Sequence, residues 1–260
     1  MKLKDALDIR PGEVASLVGG GGKTSIMFAM AKELAAAGSC VVTTTTTKIF
    51  EPLPDETPLV IVEKDETELV SRFLESAPHY RHITLATERL TSGKLAGISP
   101  ELVEKLAGMK TVSHVIVEAD GAAQRPLKAP NATEPVIPDN TSLVIALVGV
   151  DAIGSSLNEK EVFRAGIAAK LLELPIGAVL SLTAIAALVT HRQGITKGSP
   201  ERARIVPFIN KVDQDGGLVW GRKLAREILA VGHPGIKYVL LGQARLAEPV
   251  VEIISEGGAG

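Results

Sequence analysis

The stretch Val14–Thr24, with the sequence VASLVGGGGKT, decides the fold of this chain. Its first residues, Val14–Val18, form a short apolar run that predicts a buried strand. Four glycines and a Lys-Thr pair follow, and Ile26, Met30 and Leu34 then recur at the spacing of one helix face. A strand, a glycine-rich turn and a helix in this order are the structural context of a phosphate-binding loop.

The residue types of this loop suit the binding of a nucleoside triphosphate. Glycines let the backbone bend so that several N–H groups point at phosphate oxygens, and the start of the helix adds its positive dipole end. We expect Lys23 to contact the β- and γ-phosphates and the Thr24 hydroxyl to ligate Mg²⁺. Leu17 stands where the usual pattern has its first glycine. The loop residues predicted to bind the nucleotide are Gly19, Gly20, Gly21, Gly22, Lys23 and Thr24.

Strand-like and helix-like segments alternate along the rest of the chain. This alternation predicts an α/β fold with a mostly parallel sheet, helices on both faces and a P-loop NTPase-like order. We expect a single domain over residues 1–260, in which the Ala/Leu-rich residues 151–200 form a helical insertion and residues 257–260 fray. The further predicted strands are Cys40–Thr45, Leu59–Val62, His82–Ala86, His114–Glu118, Leu143–Val148, Arg204–Ile209 and Lys237–Leu241.

Composition excludes several classes of protein. The 260 residues are 45% hydrophobic and 22% charged, which excludes disorder as the dominant state. Lys and Arg number 28 against 30 Asp and Glu, so the basic excess typical of nucleic-acid-binding proteins is missing, and we expect no nucleic-acid partner. The apolar stretches are short and interrupted, so we expect no membrane span. The single cysteine, Cys40, is typical of a protein of the reducing cytoplasm.

Acidic residues end the predicted strand His114–Glu118. In phosphate-loop proteins a strand of this kind carries the carboxylate on the Mg²⁺ side of the nucleotide. We assign Glu118 to the metal and Asp120 to catalysis, although the pattern leaves open which of the two acids contacts Mg²⁺. Solvated acids at a strand end are the alternative.

Cations follow this strand and also an earlier one. Arg125 and Lys128 are close behind the acidic strand and are predicted to approach a triphosphate or another anion. Thr46 and Lys48 follow the threonine-rich strand Cys40–Thr45, at the edge of a parallel sheet where ligands bind. Strand propensity and ordinary solvated charges remain the alternatives for these four residues.

The segment Ile209–Asp213 has the sequence INKVD. Asn-Lys-x-Asp after a strand is the arrangement with which many phosphate-loop GTPases recognise guanine, because a carboxylate accepts two hydrogen bonds that adenine does not offer. We predict that Asp213 selects the base and that Asn210 braces the loop, with a backbone N–H from residues 242–244 as a further contact. Guanine is favoured over adenine. A turn in which Asp213 caps the next helix is the alternative.

Together these motifs resemble the YqeC family, which is described as accessory proteins for selenium-dependent molybdenum hydroxylases. The resemblance covers nearly the whole chain from Gly12, and it departs at Thr133, where we expect a histidine. It implies a role in maturing a selenium-containing molybdenum cofactor, with a molybdenum hydroxylase or a maturation protein as partner. The residues that carry it lie in segments 19–24, 43–50, 117–122, 125–130, 134–138 and 210–213.

The residues themselves predict a Mg²⁺-dependent phosphate-loop NTPase that uses ATP or GTP. Hydrolysis or exchange of the nucleotide would gate the delivery or modification of a cofactor. No side chain is an obvious base for the attacking water, which predicts slow turnover that a partner stimulates. Two alternatives stay open: a small-molecule kinase in which Arg125 and Lys128 hold an anionic acceptor, and a scaffold that binds nucleotide without turnover. The oligomeric state stays open as well.

Overall fold

The computed structural model describes residues 1–256, so the predicted fraying of residues 257–260 lies outside the described part of the chain. The strands are β1 (Val14–Gly19), β2 (Val41–Thr45), β3 (Lys48–Phe50), β4 (Val60–Val62), β5 (His82–Ala86), β6 (Glu88–Arg89), β7 (Lys94–Ala96), β8 (His114–Glu118), β9 (Leu127–Lys128), β10 (Leu143–Gly149), β11 (Val162–Phe163), β12 (Arg204–Asn210), β13 (Tyr238–Gly242) and β14 (Val250–Ser255).

The α-helices are α1 (Leu3–Ala6), α2 (Lys23–Ala36), α3 (Glu66–Ser76), α4 (Pro100–Ala107), α5 (Ala165–Leu172), α6 (Leu182–Thr190) and α7 (Gly217–Ala230). Local sequence specifies two of their starts. The Asp65 side chain accepts a hydrogen bond from the backbone of Glu68 at the start of α3. Ser99 caps α4 in the same way, and Pro100 occupies its first helical position. Among residues 1–256, no helix is both long enough and apolar enough to cross a bilayer.

Nine strands form one sheet in the order β14-β13-β12-β10-β1-β8-β2-β5-β4. Every neighbouring pair is parallel except β13 and β14. The predicted α/β class with a mostly parallel sheet is therefore confirmed. The edge strand β14 was not predicted; it follows β13 after residues 243–249 and pairs with it in antiparallel fashion. The short strands of two small sheets, β3-β7-β6 and β11-β9, were not predicted either.

Two apolar layers cover the sheet, one on each face. Side chains of α1 and α2, such as Leu3 and Met30, pack with alternate residues of the central strands, such as Leu17. Helices α3 to α7 cover the opposite face, where Phe73 of α3 contributes to a core that also contains Val18 of β1. Burial on both faces explains why the central strands are continuous apolar runs and do not alternate with polar residues.

Residues 151–200 connect β10 to β12. They contain α5 and α6, and also the two-residue strand β11, which was not predicted. Helix α6 packs against α7, so this segment adds to the layer on one face of the sheet. Strand β11 pairs with β9, which connects the segment to the loop after β8.

The carboxyl ends of the parallel strands meet at one edge of the sheet. Thr45 of β2 lies opposite Glu118 of β8, and Gly149 of β10 lies opposite Asn210 of β12. Strand β1 runs between β8 and β10 and ends at Gly19, so the glycine-rich loop leaves the sheet in the middle of this edge. Parallel α/β sheets bind ligands at such a position.

Candidate functional site

A cavity of about 800 Å³ opens at this edge. Its floor is formed by residues 21–25 of the glycine-rich loop and by Glu118. Residues that follow β12 and β13 form one end, and residues of β3 and β7 form the other. Residues 121–125, which follow β8, also line the cavity. The volume lies within the range of small-molecule and cofactor sites.

Backbone geometry explains why this loop is made of glycines. Gly21 has a φ of +77°, and a Cβ there would overlap the amide nitrogen of Gly149. Gly22 has a φ of +117°, and a Cβ there would lie 2.5 Å from Nδ2 of Asn210. At both positions φ is positive and a Cβ would lie closer to a neighbouring atom than van der Waals contact allows, so only glycine fits.

The backbone N–H groups of the loop fall into two sets, one bonded within the protein and one without an acceptor in the described chain. Those of Gly20 and Gly21 donate to the carbonyl oxygens of Leu147 and Arg125, so they hold the loop in place. In the described part of the chain, the N–H groups of residues 22–25 have no acceptor, and all four residues line the cavity. These groups form the positive end of α2 and are available to an anion.

Lys23, Thr24 and Glu118 meet beneath this end of the helix. The Thr24 hydroxyl donates to Oε2 of Glu118 over 2.7 Å. The Lys23 ammonium donates to the carbonyl of Gly19 over 2.7 Å and lies 3.7 Å from Oε1 of Glu118. Both Thr24 and Glu118 line the cavity.

Asp120 has a different place from the one expected of a catalytic residue. Strand β8 ends at Glu118, so the alternation of side chains along the strand does not extend to Asp120. Its Oδ2 accepts from the backbone N–H of Gly19, and its Oδ1 lies 3.1 Å from Nζ of Lys23. Asp120 is buried and does not line the cavity. Its carboxylate therefore positions the loop and Lys23.

Lys128 also departs from the expectation. Its side chain is fully buried, and its ammonium lies 3.1 Å from Asp120 and 2.5 Å from Glu134. Arg164 binds the same carboxylate of Glu134 over 2.7 Å. Burial and these carboxylates keep Lys128 away from the cavity, so it is not placed to contact a phosphate or an acceptor.

These side chains form one connected group, here termed the buried charge cluster. Its three cations and three carboxylates balance, which a low-dielectric interior requires. The cluster extends from the glycine-rich loop to the start of α5, and its members are Lys23, Glu118, Asp120, Lys128, Glu134 and Arg164.

Burial and charge shift the pKa values within the cluster in different directions. Burial raises the pKa of the Glu118 carboxyl above its ordinary value, against the opposing effect of Lys23. Burial also opposes the charge on Lys23, but Asp120 and Glu118 raise the pKa of that ammonium. At Lys128 burial prevails and lowers the pKa. For Glu134, burial is outweighed by hydrogen bonds from Arg164 and Lys128, which hold its pKa below the ordinary value.

The residues after β12 and β13 form the end of the cavity predicted to hold the base. Nδ2 of the buried Asn210 donates to the carbonyl of Gly21 over 2.8 Å, so Asn210 braces the glycine-rich loop. Oδ1 of Asn210 accepts from the N–H of Ala244, which is therefore not free for a base. The exposed Asp213 lines the cavity and accepts a hydrogen bond from Gln243 over 2.7 Å.

The alternative role of Asp213 as a helix cap does not agree with the structure. Helix α7 begins at Gly217, and its N-cap is Gly216, which provides no side chain for capping. Lys211 has a φ of +67° and forms an ion pair with Asp151 over 2.6 Å. The turn is thus held by Lys211 and Gln243, and the Asp213 carboxylate stays at the cavity.

Other predicted residues are divided between the cavity and the scaffold. Lys48 and Arg125 line the cavity, and the Arg125 guanidinium donates to the carbonyls of Glu159 and Ala123. The Thr46 hydroxyl donates to the carbonyl of Val136 and does not line the cavity. Of the predicted site residues, the structure places at the cavity Gly21, Gly22, Lys23, Thr24, Lys48, Glu118, Arg125, Asn210 and Asp213, but not Gly19, Gly20, Thr46, Asp120 or Lys128.

Sequence reasoning missed several cavity residues. They are Phe50, Leu53 and Lys94, in or near β3 and β7, and Lys211 and Arg245, which follow β12 and β13. The strand pattern of residues 48–50, polar-apolar-aromatic, is the signal that would have drawn attention to Phe50. Nothing in the sequence connects Lys94 to it, because their contact arises only when β3 pairs with β7.

The chain is similar to one solved structure at low identity, and one relative and one family model agree with the resemblance seen in the sequence. A crystal structure of FtsY from Mycoplasma mycoides is similar over 94% of this chain and 63% of that chain, with 10% identity and a TM-score of 0.30. Escherichia coli (strain K12) YqeC, described as an uncharacterized protein, is 36% identical over 201 residues, which are 77% of each chain. The family model described as YqeC protein matches residues 15–166. The chain belongs to the YqeC family.

Proposed function

We propose that this protein is a Mg²⁺-dependent, nucleotide-binding NTPase that favours guanine. We further propose that it serves as an accessory factor in the maturation of selenium-dependent molybdenum hydroxylases. The first part is argued from the site, and the second comes from the resemblance of the motifs to the YqeC family.

The observation that carries nucleotide binding is the set of backbone N–H groups of residues 22–25, which have no acceptor in the described chain and belong to residues that line the cavity. A phosphate group placed there accepts several of these hydrogen bonds and gains from the helix dipole. Lys23 lies beside the same position and keeps its positive charge, since neighbouring carboxylates raise its pKa. A single phosphate would use part of the cavity, whose volume of about 800 Å³ leaves room for a nucleotide.

The residues at the floor fit a magnesium ion. Mg²⁺ prefers oxygen ligands and is commonly held by one or two protein groups together with phosphates and water. The Thr24 hydroxyl and the Glu118 carboxylate provide two such oxygens, 2.7 Å apart and both at the cavity. When bound, the ion would neutralise charge on the β- and γ-phosphates. Mg²⁺ would replace the hydrogen bond between Thr24 and Glu118.

Guanine selectivity is supported by Asp213, whose carboxylate lines the far end of the cavity. A guanine ring offers two adjacent donors to one carboxylate, whereas adenine does not. Asn210 connects this end to the phosphate end through its hydrogen bond to Gly21. Gln243 donates to Asp213 and would have to exchange this bond for the base.

For hydrolysis, the described residues provide charge stabilisation of the phosphates, but no evident base for the attacking water. Lys23 stabilises charge on the phosphates, and Asp120 positions Lys23 and the loop. No histidine lines the described cavity, and its acids are Glu51, Glu56, Glu118 and Asp213. Slow turnover stimulated by a maturation partner is consistent with this lining. The kinase alternative loses support because Lys128, one of its two acceptor cations, is buried in the charge cluster.

Calorimetric titration with non-hydrolysable GTP and ATP analogues, with and without Mg²⁺, tests the nucleotide site. We expect Mg²⁺-dependent binding that favours the guanine analogue and is lost in Lys23→Ala. Since Lys23 neutralises buried carboxylates, Thr24→Val provides a second variant that leaves those charges paired. Lys32→Ala, an exposed position on the same helix, is the matched control.

The outcomes discriminate between the alternatives. Binding without phosphate release to water would indicate a scaffold, and phosphate retained on a small molecule would indicate a kinase. Preference for adenine would refute the role given to Asp213. If neither analogue binds the folded protein, the proposal fails.

The maturation role is tested in cells. A selenium-dependent molybdenum hydroxylase would be produced with this chain, without it, or with Thr24→Val. We expect its selenium content and activity to depend on the intact chain. An enzyme equally active in all three cultures would contradict the maturation role while leaving the nucleotide site standing.

A further inference from the structure

We propose that the end of the cavity formed by β3 and β7 is a second ligand subsite. It binds a small organic anion that carries a phosphate or carboxylate group on a flat or apolar body. Its position next to the terminal phosphate of the nucleotide rests on the proposed function, whereas the binding of the anion itself does not.

Strand pairing places the residues of this subsite on one surface. In the antiparallel pair of β3 and β7, Phe50 lies directly opposite Lys94. Lys48 lies two residues before Phe50 and therefore on the same face of the strand. The intervening residues Ile49 and Leu95 are buried beneath this face. Lys48, Phe50 and Lys94 thus form one outward surface, and all three line the cavity.

The charges of this surface favour an anion. In the described part of the chain, neither Lys48 nor Lys94 has a carboxylate within 4.0 Å. The two acids that also line this end already have partners. Glu51 binds Arg89 over 2.9 Å, and Glu56 accepts from the backbone N–H of Leu53 over 3.0 Å. The two lysines therefore remain available to a ligand.

The surface also exposes apolar side chains, which favour an organic ligand over an inorganic ion. Phe50 is 51% exposed and Leu53 is 62% exposed, although both lie at the cavity. The Lys94 ammonium lies 4.8 Å from the centre of the Phe50 ring. An aromatic or other apolar group would be covered by Phe50 and Leu53 while its acidic group bound the lysines.

The order of strands places this subsite on the phosphate side of the cavity. Asp213 and Gln243 follow β12 and β13, on one side of β1. Strand β3 follows β2, whose end lies beside Glu118 on the other side of β1. A nucleotide with its base at Asp213 and its phosphates at the loop would therefore direct its terminal phosphate towards Lys48.

The loop after β8 supplies a third cation to the same cavity. Arg125 has no carboxylate partner in the described chain and donates to two carbonyl oxygens. The backbone carbonyl of Arg125 accepts from Gly21, which fixes the loop against the phosphate-binding residues. An anion held at Lys48 and Lys94 would thus lie within the space that this loop borders.

Ligand-observed NMR with 1-naphthyl phosphate and 1-naphthoate tests the subsite, first without nucleotide. The two probes differ in the acidic group, so their comparison distinguishes phosphate from carboxylate ligands. We expect at least one of them to bind, and neutral 1-naphthol and inorganic phosphate to bind at least tenfold more weakly. Lys94→Gln and Phe50→Ala should each weaken the bound probe about tenfold, the effect of losing one charge-assisted hydrogen bond or one aromatic contact. Lys110→Gln, an exposed lysine outside the cavity lining, is the matched control.

A second titration, at a saturating concentration of the GTP analogue with Mg²⁺, separates this proposal from the proposed function. Simultaneous binding of probe and analogue supports a distinct subsite, and displacement of one by the other refutes it. If the analogue does not bind but the probe does, the nucleotide site fails and the anion subsite stands. Absence of probe binding, equal binding of 1-naphthol, or an unchanged affinity in Lys94→Gln overturns the subsite.

Discussion

Replacing Lys128 by methionine removes one cation from the buried charge cluster while nearly preserving the length of the side chain. Lys128 and Asp120 are each about 1% exposed and lie 3.1 Å apart, and Lys128 also contacts Glu134 over 2.5 Å. The substitution leaves three buried or half-buried carboxylates facing two cations. Breaking a buried ion pair from one side costs about 3–5 kcal/mol, because the remaining charge is left without compensation.

We therefore expect Lys128→Met to lower the free energy of unfolding at pH 7 by about 3–5 kcal/mol in urea denaturation. In a chain of this size the melting temperature would fall by about 6–20 °C. Lys160→Met is the matched control, because the Lys160 side chain is 87% exposed and its contact with Glu161 is 3.9 Å long. A surface substitution of this kind changes the free energy of unfolding by no more than about 0.5 kcal/mol.

The pH dependence adds a second readout. Hydrogen bonds from Arg164 and Lys128 hold the pKa of Glu134 below its ordinary value of 4.5. A carboxyl group of lowered pKa stabilises the fold above its ordinary pKa, and this contribution is lost as the pH falls through the folded value. The difference between wild type and Lys128→Met should thus be full at pH 7 and should shrink as the pH falls below about 4.5.

A double variant refines the test. In Lys128→Met with Glu134→Gln, one cation and one anion are removed together, so the charges of the cluster balance again. We expect this variant to be more stable than Lys128→Met alone. A loss below about 1 kcal/mol in Lys128→Met, or a loss that does not change with pH, would refute the view that Lys128 neutralises buried carboxylates.

Three further predictions concern the site itself. Gly21→Ala should abolish binding of the GTP analogue in calorimetry, because the added methyl group would overlap the backbone of β10. Gly38→Ala is the control and should bind normally, because Gly38 also has a positive φ but has open space around it. Asn210→Leu removes the hydrogen bonds of Asn210 with Gly21 and Ala244 and should lower the free energy of unfolding in urea by about 2–3 kcal/mol. Equal stability of wild type and variant would contradict this bracing role. Burial raises the pKa of Glu118, and Mg²⁺ needs its ionised carboxylate. The Mg²⁺-dependent affinity for the analogue should therefore fall as the pH is lowered from 8 to 5, and more steeply in wild type than in Glu118→Gln. Parallel pH profiles of the two proteins would contradict this role.

Much of the sheet could be predicted because its central strands are buried on both faces. Strands β5 and β8 have the predicted bounds, and β1, β10, β12 and β13 differ by a residue at one or both ends. The edge strand β14 and the miniature strands of the two small sheets were missed. Two or three residues carry too little periodicity to reveal a miniature strand, and its pairing depends on a distant segment, as in β3 with β7.

The residues of the site were predicted less completely than the strands of the sheet. Lys23, Thr24, Glu118, Asn210 and Asp213 lie at the cavity, because a local motif fixes each one at the end of a buried strand. The loop after β8 has no such pattern, and sequence reasoning treated its two cations alike. The structure separates them, since Arg125 borders the cavity whereas Lys128 points into the protein.

By itself the sequence determined the α/β class, the glycine-rich loop between β1 and α2, and the family to which the chain belongs. These features are encoded in short segments whose apolar periodicity and glycine content restrict the backbone locally. Only the tertiary structure decided that Asp120 and Lys128 belong to a balanced charge cluster and that Phe50 meets Lys94 at a cavity. The physical reason is that charge compensation and cross-strand contact join residues far apart in the chain, and no local pattern records which partners the fold will bring together.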